Sequence, residues 1–268
     1  MRPQVITRTM QKSFWPYALL TMLFIFLLSV LTGAPWISAQ PFYSSISHQV
    51  MVSLFLPLFV LPVLALVFGL RSYWRSVGGA TLRGVHLRQA FSSAATMKQL
   101  SGGQGQGCNY ESGERYSAHR RHAHQATLYG FLLCFLSTSV ATVYHYLFGW
   151  EAPYSFFSLP KLLGVVGGIL LSCGCAALWY LKTKAEDKLG SVNRKAGEYA
   201  FIVLLLLVAV TGLALYWSKG TPLAGGLLII HLAVVATFFI AIPYSKMSHG
   251  FFRLAALCRE AQLSDQSK

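Results

Sequence analysis

The apolar segment from Ala126 to Phe148 contains no charged residue and has a histidine close to each end, His124 and His145. A segment of this length and composition is typical of a transmembrane helix. In such a helix the two histidines, 21 residues apart, would be separated by about 31 Å, which is close to the thickness of the hydrocarbon core of a bilayer. We therefore expect one imidazole near each face of a membrane.

The chain contains six apolar segments of this kind, and none of them includes a charged residue. They span residues 14–31, 50–70, 126–148, 162–181, 199–217 and 223–244. Hydrophobic residues make up 54% of the chain and charged residues 11%, with a mean hydropathy of +0.52, which is too apolar for an ordinary soluble domain. We predict an all-α fold: a polytopic membrane helix bundle with six transmembrane helices, forming a single membrane domain over residues 1–268.

The first apolar segment follows basic residues and could be a secretory signal that is cleaved near Ala39. Its length of 18 residues exceeds the roughly 7–15 residues of a signal hydrophobic region. This difference favours a helix that is retained.

The basic residues indicate the orientation of the chain. All but two of the 22 lysines and arginines lie in the N-terminal arm, in a long basic loop at 71–125, in the connection 182–195 or in the C-terminal tail. Only Lys161 and Lys219 fall on the opposite side. Because basic residues favour the cytoplasmic side, we expect both termini and the 71–125 loop in the cytoplasm. Membrane topology thus explains the positive charge, and we expect no nucleic-acid partner.

A second pair of histidines, His231 and His249, is 18 residues apart, which is five turns of a continuous helix. Antiparallel packing of the two histidine-bearing helices would bring His124 and His249 together on the cytoplasmic side. It would also bring His145 and His231 together on the outer side. Because a bis-histidine haem needs two imidazoles that face each other, we predict two b-type haems with these four residues as axial iron ligands.

Other assignments of the ligands stay open at this point. His48, at the edge of the second segment, could replace His145 or serve a quinone. His122 could replace His124, although two positions along a helix point the side chain about 200° away. His231 lies well inside its apolar segment, where an ionisable group is usually functional, whereas histidines at a membrane boundary are common.

Cysteine and glycine spacing add two expectations. The five cysteines show none of the spacings of iron–sulfur or zinc sites, so we expect no iron–sulfur cluster in this chain. Gly164 and Gly168 have GxxxG spacing, which favours close helix packing, although glycines also let a flat macrocycle approach a helix. The glycine-rich part of the 71–125 loop, around Cys108, lacks the features of a phosphate-binding loop and favours docking of a partner.

Several motifs resemble the membrane part of the tricarballylate-utilisation protein B family, also called the citrate-utilisation B family. They are GCNY at 107–110, RRHAHQATLYGFLLCFLSTSVATVYHY at 120–146, SLPKLLGVVGG at 158–168 and PYSKMSHGFFRLAAL at 243–257. The last motif is also similar, more distantly, to the haem-bearing membrane subunit of respiratory nitrate reductases. The resemblance covers about residues 84–257.

The resemblance implies a b-type cytochrome of the bacterial inner membrane, an electron-transfer subunit rather than a self-contained enzyme. It would take electrons from an FAD-dependent dehydrogenase, directly or through a ferredoxin-like iron–sulfur protein on the cytoplasmic side, and pass them to quinone within the membrane lipid. The matching haem ligands are His124, His145, His231 and His249.

Two features depart from the family pattern. The ferredoxin-like domain with cysteine clusters that is common at the N-terminus is absent here, so we expect it as a separate chain or expect a shortened form. A paired histidine is expected after the double arginine, whereas Gln125 follows His124, which leaves the choice between His122 and His124 open.

Two other functions compete with the cytochrome. A transporter with a histidine proton relay is disfavoured because no Asp or Glu lies inside an apolar segment and no inverted repeat is visible. A haem-free membrane anchor is disfavoured by the placement of the histidines.

Overall fold

The computed structural model describes residues 14–33, 46–100, 118–184 and 192–266. Within these ranges the chain is helical and forms no strand, which confirms the all-α prediction. The helices are α1 (Trp15–Thr32), α2 (His48–Ser76), α3 (Gly84–Thr96), α4 (His119–Phe148), α5 (Leu159–Lys184), α6 (Val192–Trp217), α7 (Ala224–Ala241) and α8 (Ser248–Gln266), with a short 3₁₀ turn at Lys98–Leu100.

Five helices in the described part of the chain are long and apolar enough to cross a membrane: α2, α4, α5, the Gly197–Trp217 part of α6, and α7. The apolar part of α1, Trp15–Leu31, is shorter. The structure therefore supports a multi-pass membrane protein, and a sixth span formed by α1 stays a prediction.

Glycines bring α4 and α5 into very close contact. A Cβ atom at Gly130 would lie 2.8 Å from the carbonyl oxygen of Gly167, and closer still to the backbone nitrogen of Leu171. A Cβ at Gly174 would likewise meet the backbone of Thr127 at 2.5 Å. The expected close helix packing is therefore confirmed, because the backbones of these two helices touch where side chains are absent.

The two glycines of the GxxxG pair face different neighbours. Gly164 faces the side chain of Ser137 on α4, whereas Gly168 faces Leu213 on α6. Protein side chains therefore lie at both positions, in agreement with close helix packing. The pair allows α5 to pack between α4 and α6.

Part of the expected 71–125 loop is helical. The last turns of α2 and the whole of α3 lie within it, and α3 packs on α8. The buried amide of Gln262 on α8 donates to the carbonyl oxygens of Ala80 (2.9 Å) and Thr81 (3.1 Å). These bonds fix α8 against the connection between α2 and α3. Cys108 and its glycine-rich neighbours lie outside the described residues.

The last apolar segment does not form one continuous helix with the residues that follow it. Helix α7 ends at Ala241 and α8 begins at Ser248, with turns between them. Pro243 explains the break, because proline has no N–H to donate and its ring clashes with the preceding helical turn. The expectation that His231 and His249 project from one side of a single helix is therefore wrong.

Candidate functional site

Helix α4 carries His124 and His145 on one unbroken helix, as the sequence predicts. His124 is partly buried and lies close enough to His249 of α8 for an electrostatic interaction. The positively charged side chains of Arg120 and Arg253 also interact electrostatically with the His124 imidazole. His122, the alternative to His124, is exposed to solvent. The structure thus brings one predicted pair, His124 and His249, together at one end of the bundle.

His249 lies in the first turn of α8, and its side chain is exposed. Its Nδ1 atom lies within hydrogen-bond distance of the backbone carbonyl oxygen of Lys246. A carbonyl oxygen only accepts, so Nδ1 carries the hydrogen and donates it. In the neutral ring, Nε2 of His249 therefore holds the free lone pair.

His231 of α7 is positioned by helix α6. The Oγ1 atom of Thr211 lies 2.9 Å from Nδ1 of His231 and 2.6 Å from the carbonyl oxygen of Leu207. Because the threonine has one hydroxyl hydrogen and donates it to Leu207, its oxygen accepts from Nδ1 of His231. His231 therefore has the same tautomer as His249, with the lone pair on Nε2.

A glycine makes room for the His231 ring. A Cβ atom at Gly212 would lie 3.0 Å from Cε1 of His231, which is tighter than ordinary van der Waals contact. The missing side chain lets the imidazole lie against the α6 backbone beside Thr211.

His145 has a different neighbour from the one the sequence predicts. Its ring stacks on that of His48 at the start of α2, with centroids 4.1 Å apart and planes inclined by 27°. The Nε2 atom of His48 lies 3.2 Å from the hydroxyl of Tyr146. The structure thus places His48, the alternative ligand, against His145, while His231 contacts α6.

Helices α4 and α7 contact each other through side chains. The close backbone packing of α4 is made with α5. Towards α7, the rings of Phe131 and Phe238 lie 5.6 Å apart. Phe59 of α2 reaches Phe135 of α4 at 6.4 Å and Phe239 of α7 at 5.6 Å. Aromatic side chains therefore line the space between α2, α4 and α7.

Comparison with known proteins assigns the family. The family model described as "Citrate utilization protein B" matches residues 10–268. The chain belongs to the citrate utilization protein B family. It is 42% identical over 223 residues to citrate utilization protein B of Escherichia coli, an alignment that covers 83% of this chain and 59% of that protein. The chain thus spans less than two thirds of the length of this relative, and no solved structure matches it.

In this member of the citrate utilization protein B family, sequence reasoning missed three residues of the site: Thr211, Gly212 and Tyr146. A lone threonine or glycine in an apolar segment carries no signal of its own, because its role depends on which neighbouring helix it faces. Within the described residues no group of three or more His, Cys, Asp or Glu side chains could hold a metal ion.

Proposed function

We propose that this member of the citrate utilization protein B family is the membrane b-type cytochrome subunit of an oxidoreductase. It would take electrons from a cytoplasmic flavoprotein dehydrogenase through an iron–sulfur partner and deliver them to the quinone pool, in support of tricarballylate or citrate-type catabolism. One observation carries the proposal: Nδ1 of both His231 and His249 donates to a protein oxygen, which leaves Nε2 of each ring with its lone pair.

This tautomer is the one that an axial haem ligand needs. A histidine that binds iron through Nε2 commonly donates its other N–H to a protein oxygen, which fixes the ring orientation and raises the basicity of the ligand. Thr211 supplies that oxygen for His231, and the backbone of Lys246 supplies it for His249. Two histidines with the same arrangement are expected if each binds one haem.

We keep the two ligand pairs that the sequence predicts. His124 and His249, which interact electrostatically, would hold one haem. His145 and His231 would hold the second, since Nε2 of His48 already lies at Tyr146. Bound haem supplies an iron that changes reversibly between the ferric and ferrous states. The protein supplies the imidazoles and the apolar, aromatic surroundings between α2, α4 and α7, and both fit a flat hydrophobic cofactor.

The distribution of charge supports an inner-membrane orientation with both termini, α3 and α8 in the cytoplasm. The basic residues cluster at that end of the bundle, as they do in cytoplasmic loops. This end would also receive the partner protein, and a partner with an acidic surface would associate in a salt-sensitive manner. In this arrangement α1 would be the sixth span.

The first test is a dithionite-reduced minus oxidised visible spectrum of the purified full chain, with the haem-to-protein ratio measured on the same sample. We expect a b-type α-band with about two haems per chain. A colourless protein from cells with ample haem would overturn the proposal. A single haem per chain would reduce it to one of the two histidine pairs.

The Thr211→Val variant tests the role of the His231 tautomer. Valine matches the shape of threonine but cannot accept from Nδ1, so haem held through His231 should bind roughly 10–100-fold more weakly. We expect one of two transitions in a redox titration to shift and the other to stay. Haem retention during dilution measures the affinity.

Thr237→Val is the matched control for this variant. It removes a buried hydroxyl from α7 that bonds Ala233 and contacts Thr21, and it leaves the His231 ring untouched. If both valine variants changed the same transition by the same amount, Thr211 would have no specific role at His231.

A further inference from the structure

We propose that Lys161 and Lys219 form a binding site for the phosphate of an anionic phospholipid at the end of the bundle opposite α8. This site is separate from the histidine pairs, and it does not depend on the proposed haems. The proposal rests on the position of the two ammonium groups, on the lack of a carboxylate at them among the residues that the structure describes, and on the apolar side chains around them.

The two lysines converge on one point. Nζ of Lys161 lies 4.9 Å from the centre of the Phe156 ring, and Nζ of Lys219 lies 5.3 Å from the same ring. Lys161 also lies 5.3 Å from the centre of the Tyr216 ring. The two ammonium groups are close enough to interact directly. Two like charges repel at this distance, so the arrangement favours an anion between them.

Each lysine is held where it is by its own element. Lys161 lies in the first turn of α5, where the helix dipole also favours negative charge. Lys219 lies in the turn after α6 and donates to the backbone carbonyl oxygen of Tyr154 at 3.3 Å. The Phe156 ring adds cation–π attraction to both lysines, and the Tyr216 ring adds it to Lys161. The site is therefore formed by three separate segments of the fold.

A second pair of lysines, at the other end of the bundle, has a carboxylate between its ammonium groups. There Lys182 and Lys246 both pair with the carboxylate of Glu198. In the described part of the chain, neither Lys161 nor Lys219 forms an ion pair with a carboxylate. The protein thus supplies the anion for Lys182 and Lys246, whereas a bound ligand would supply it for Lys161 and Lys219.

The surroundings favour a lipid over a soluble anion. Large apolar side chains next to the lysines are strongly exposed: Phe157 at 87% and Trp217 at 76%. Leu162, one residue after Lys161, is also exposed. Both lysines lie at the ends of membrane-crossing helices, which is the depth of the phosphate groups of a bilayer. An amphiphile satisfies both features, because its phosphate binds the lysines while its acyl chains cover the apolar side chains.

The test uses the full chain in a neutral detergent and two double variants, Lys161→Gln/Lys219→Gln and Lys161→Arg/Lys219→Arg. Thermal unfolding is followed with added phosphatidylglycerol, phosphatidylcholine or inorganic phosphate. We expect phosphatidylglycerol to raise the unfolding midpoint of the wild type and of the arginine variant. Its affinity for the glutamine variant should be lower by a factor of roughly ten or more. Without anionic lipid, the glutamine variant should unfold at the same temperature as the wild type or above it, because the repulsion has been removed.

Two results would overturn the proposal. One is a glutamine variant that phosphatidylglycerol stabilises as much as the wild type, which would place lipid binding elsewhere. The other is equal stabilisation by inorganic phosphate and phosphatidylglycerol, which would show a site for a free anion rather than for a lipid.

Discussion

The His231→Ala variant should lose one of two haems and keep the other, so that the reduced α-band falls to about half of the wild-type intensity. Alanine provides no nitrogen, and the position faces α6, where Gly212 offers no side chain that could replace the ligand. His249→Ala should remove the other haem, and the double variant should be colourless. The measurement is the reduced-minus-oxidised spectrum with haem stoichiometry for each purified variant.

Two further histidines make matched controls. His122→Ala removes an exposed imidazole from α4, two residues from His124, and should keep both haems. His48→Ala removes the ring that stacks on His145 and should also keep both haems, since it leaves Nε2 of His145 in place. A full spectrum in His231→Ala, or loss of a haem in His48→Ala, would show that the outer pair is assigned incorrectly.

The helices could be predicted from the sequence because a chain in lipid must satisfy its own backbone hydrogen bonds. Backbone groups in a bilayer have no water to bond, so an uncharged segment of about 20 residues forms a helix. Hydropathy, however, indicates the boundaries of the apolar segment and not the residues at which the helix begins and ends. Helix α4 begins at His119, before the apolar segment that starts at Ala126, because the polar RRHAH stretch continues the helical hydrogen bonds in water.

The positions of His124 and His145 along their helix could be predicted, but the direction of a histidine side chain could not. Counting residues places His124 and His145 at opposite ends of α4, and this is confirmed. The same counting failed for His231 and His249, because the break at Pro243 puts them on two separate helices. Contacts between helices, such as Thr211 with His231, depend on how each helix is rotated about its axis, and a single sequence does not specify that rotation.

The Gly130→Ala variant should be strongly destabilised, although the same substitution in an open helix position is usually favourable. The new Cβ would lie 2.8 Å from a backbone oxygen of α5, and backbone atoms cannot move aside as a flexible side chain can. The two helices must separate, at a cost of roughly 3 kcal/mol or more. The midpoint of thermal unfolding at a fixed scan rate, together with the yield of monodisperse protein, measures the effect.

Two other glycines complete a graded series in which the chemical change is always one methyl group. At Gly84, at the start of α3, a Cβ would meet nothing within 4 Å, so alanine should be neutral or slightly stabilising. At Gly164 it would meet the Ser137 side chain, with Oγ at 3.1 Å and Cβ at 3.8 Å, and the effect should be intermediate. The loss of stability should therefore be smallest at Gly84, larger at Gly164 and largest at Gly130.

The same series connects packing with the proposed haem sites. Gly130 lies between His124 and His145 on α4, so a displacement of α4 from α5 moves the helix that carries one ligand of each pair. Gly130→Ala should consequently lower the affinity for both haems together, whereas His231→Ala and His249→Ala should each remove one haem. If Gly130→Ala instead unfolded at the same temperature as Gly84→Ala, the backbone contact between α4 and α5 would be absent from the protein in the membrane, and α4 would have to be positioned by its other neighbours.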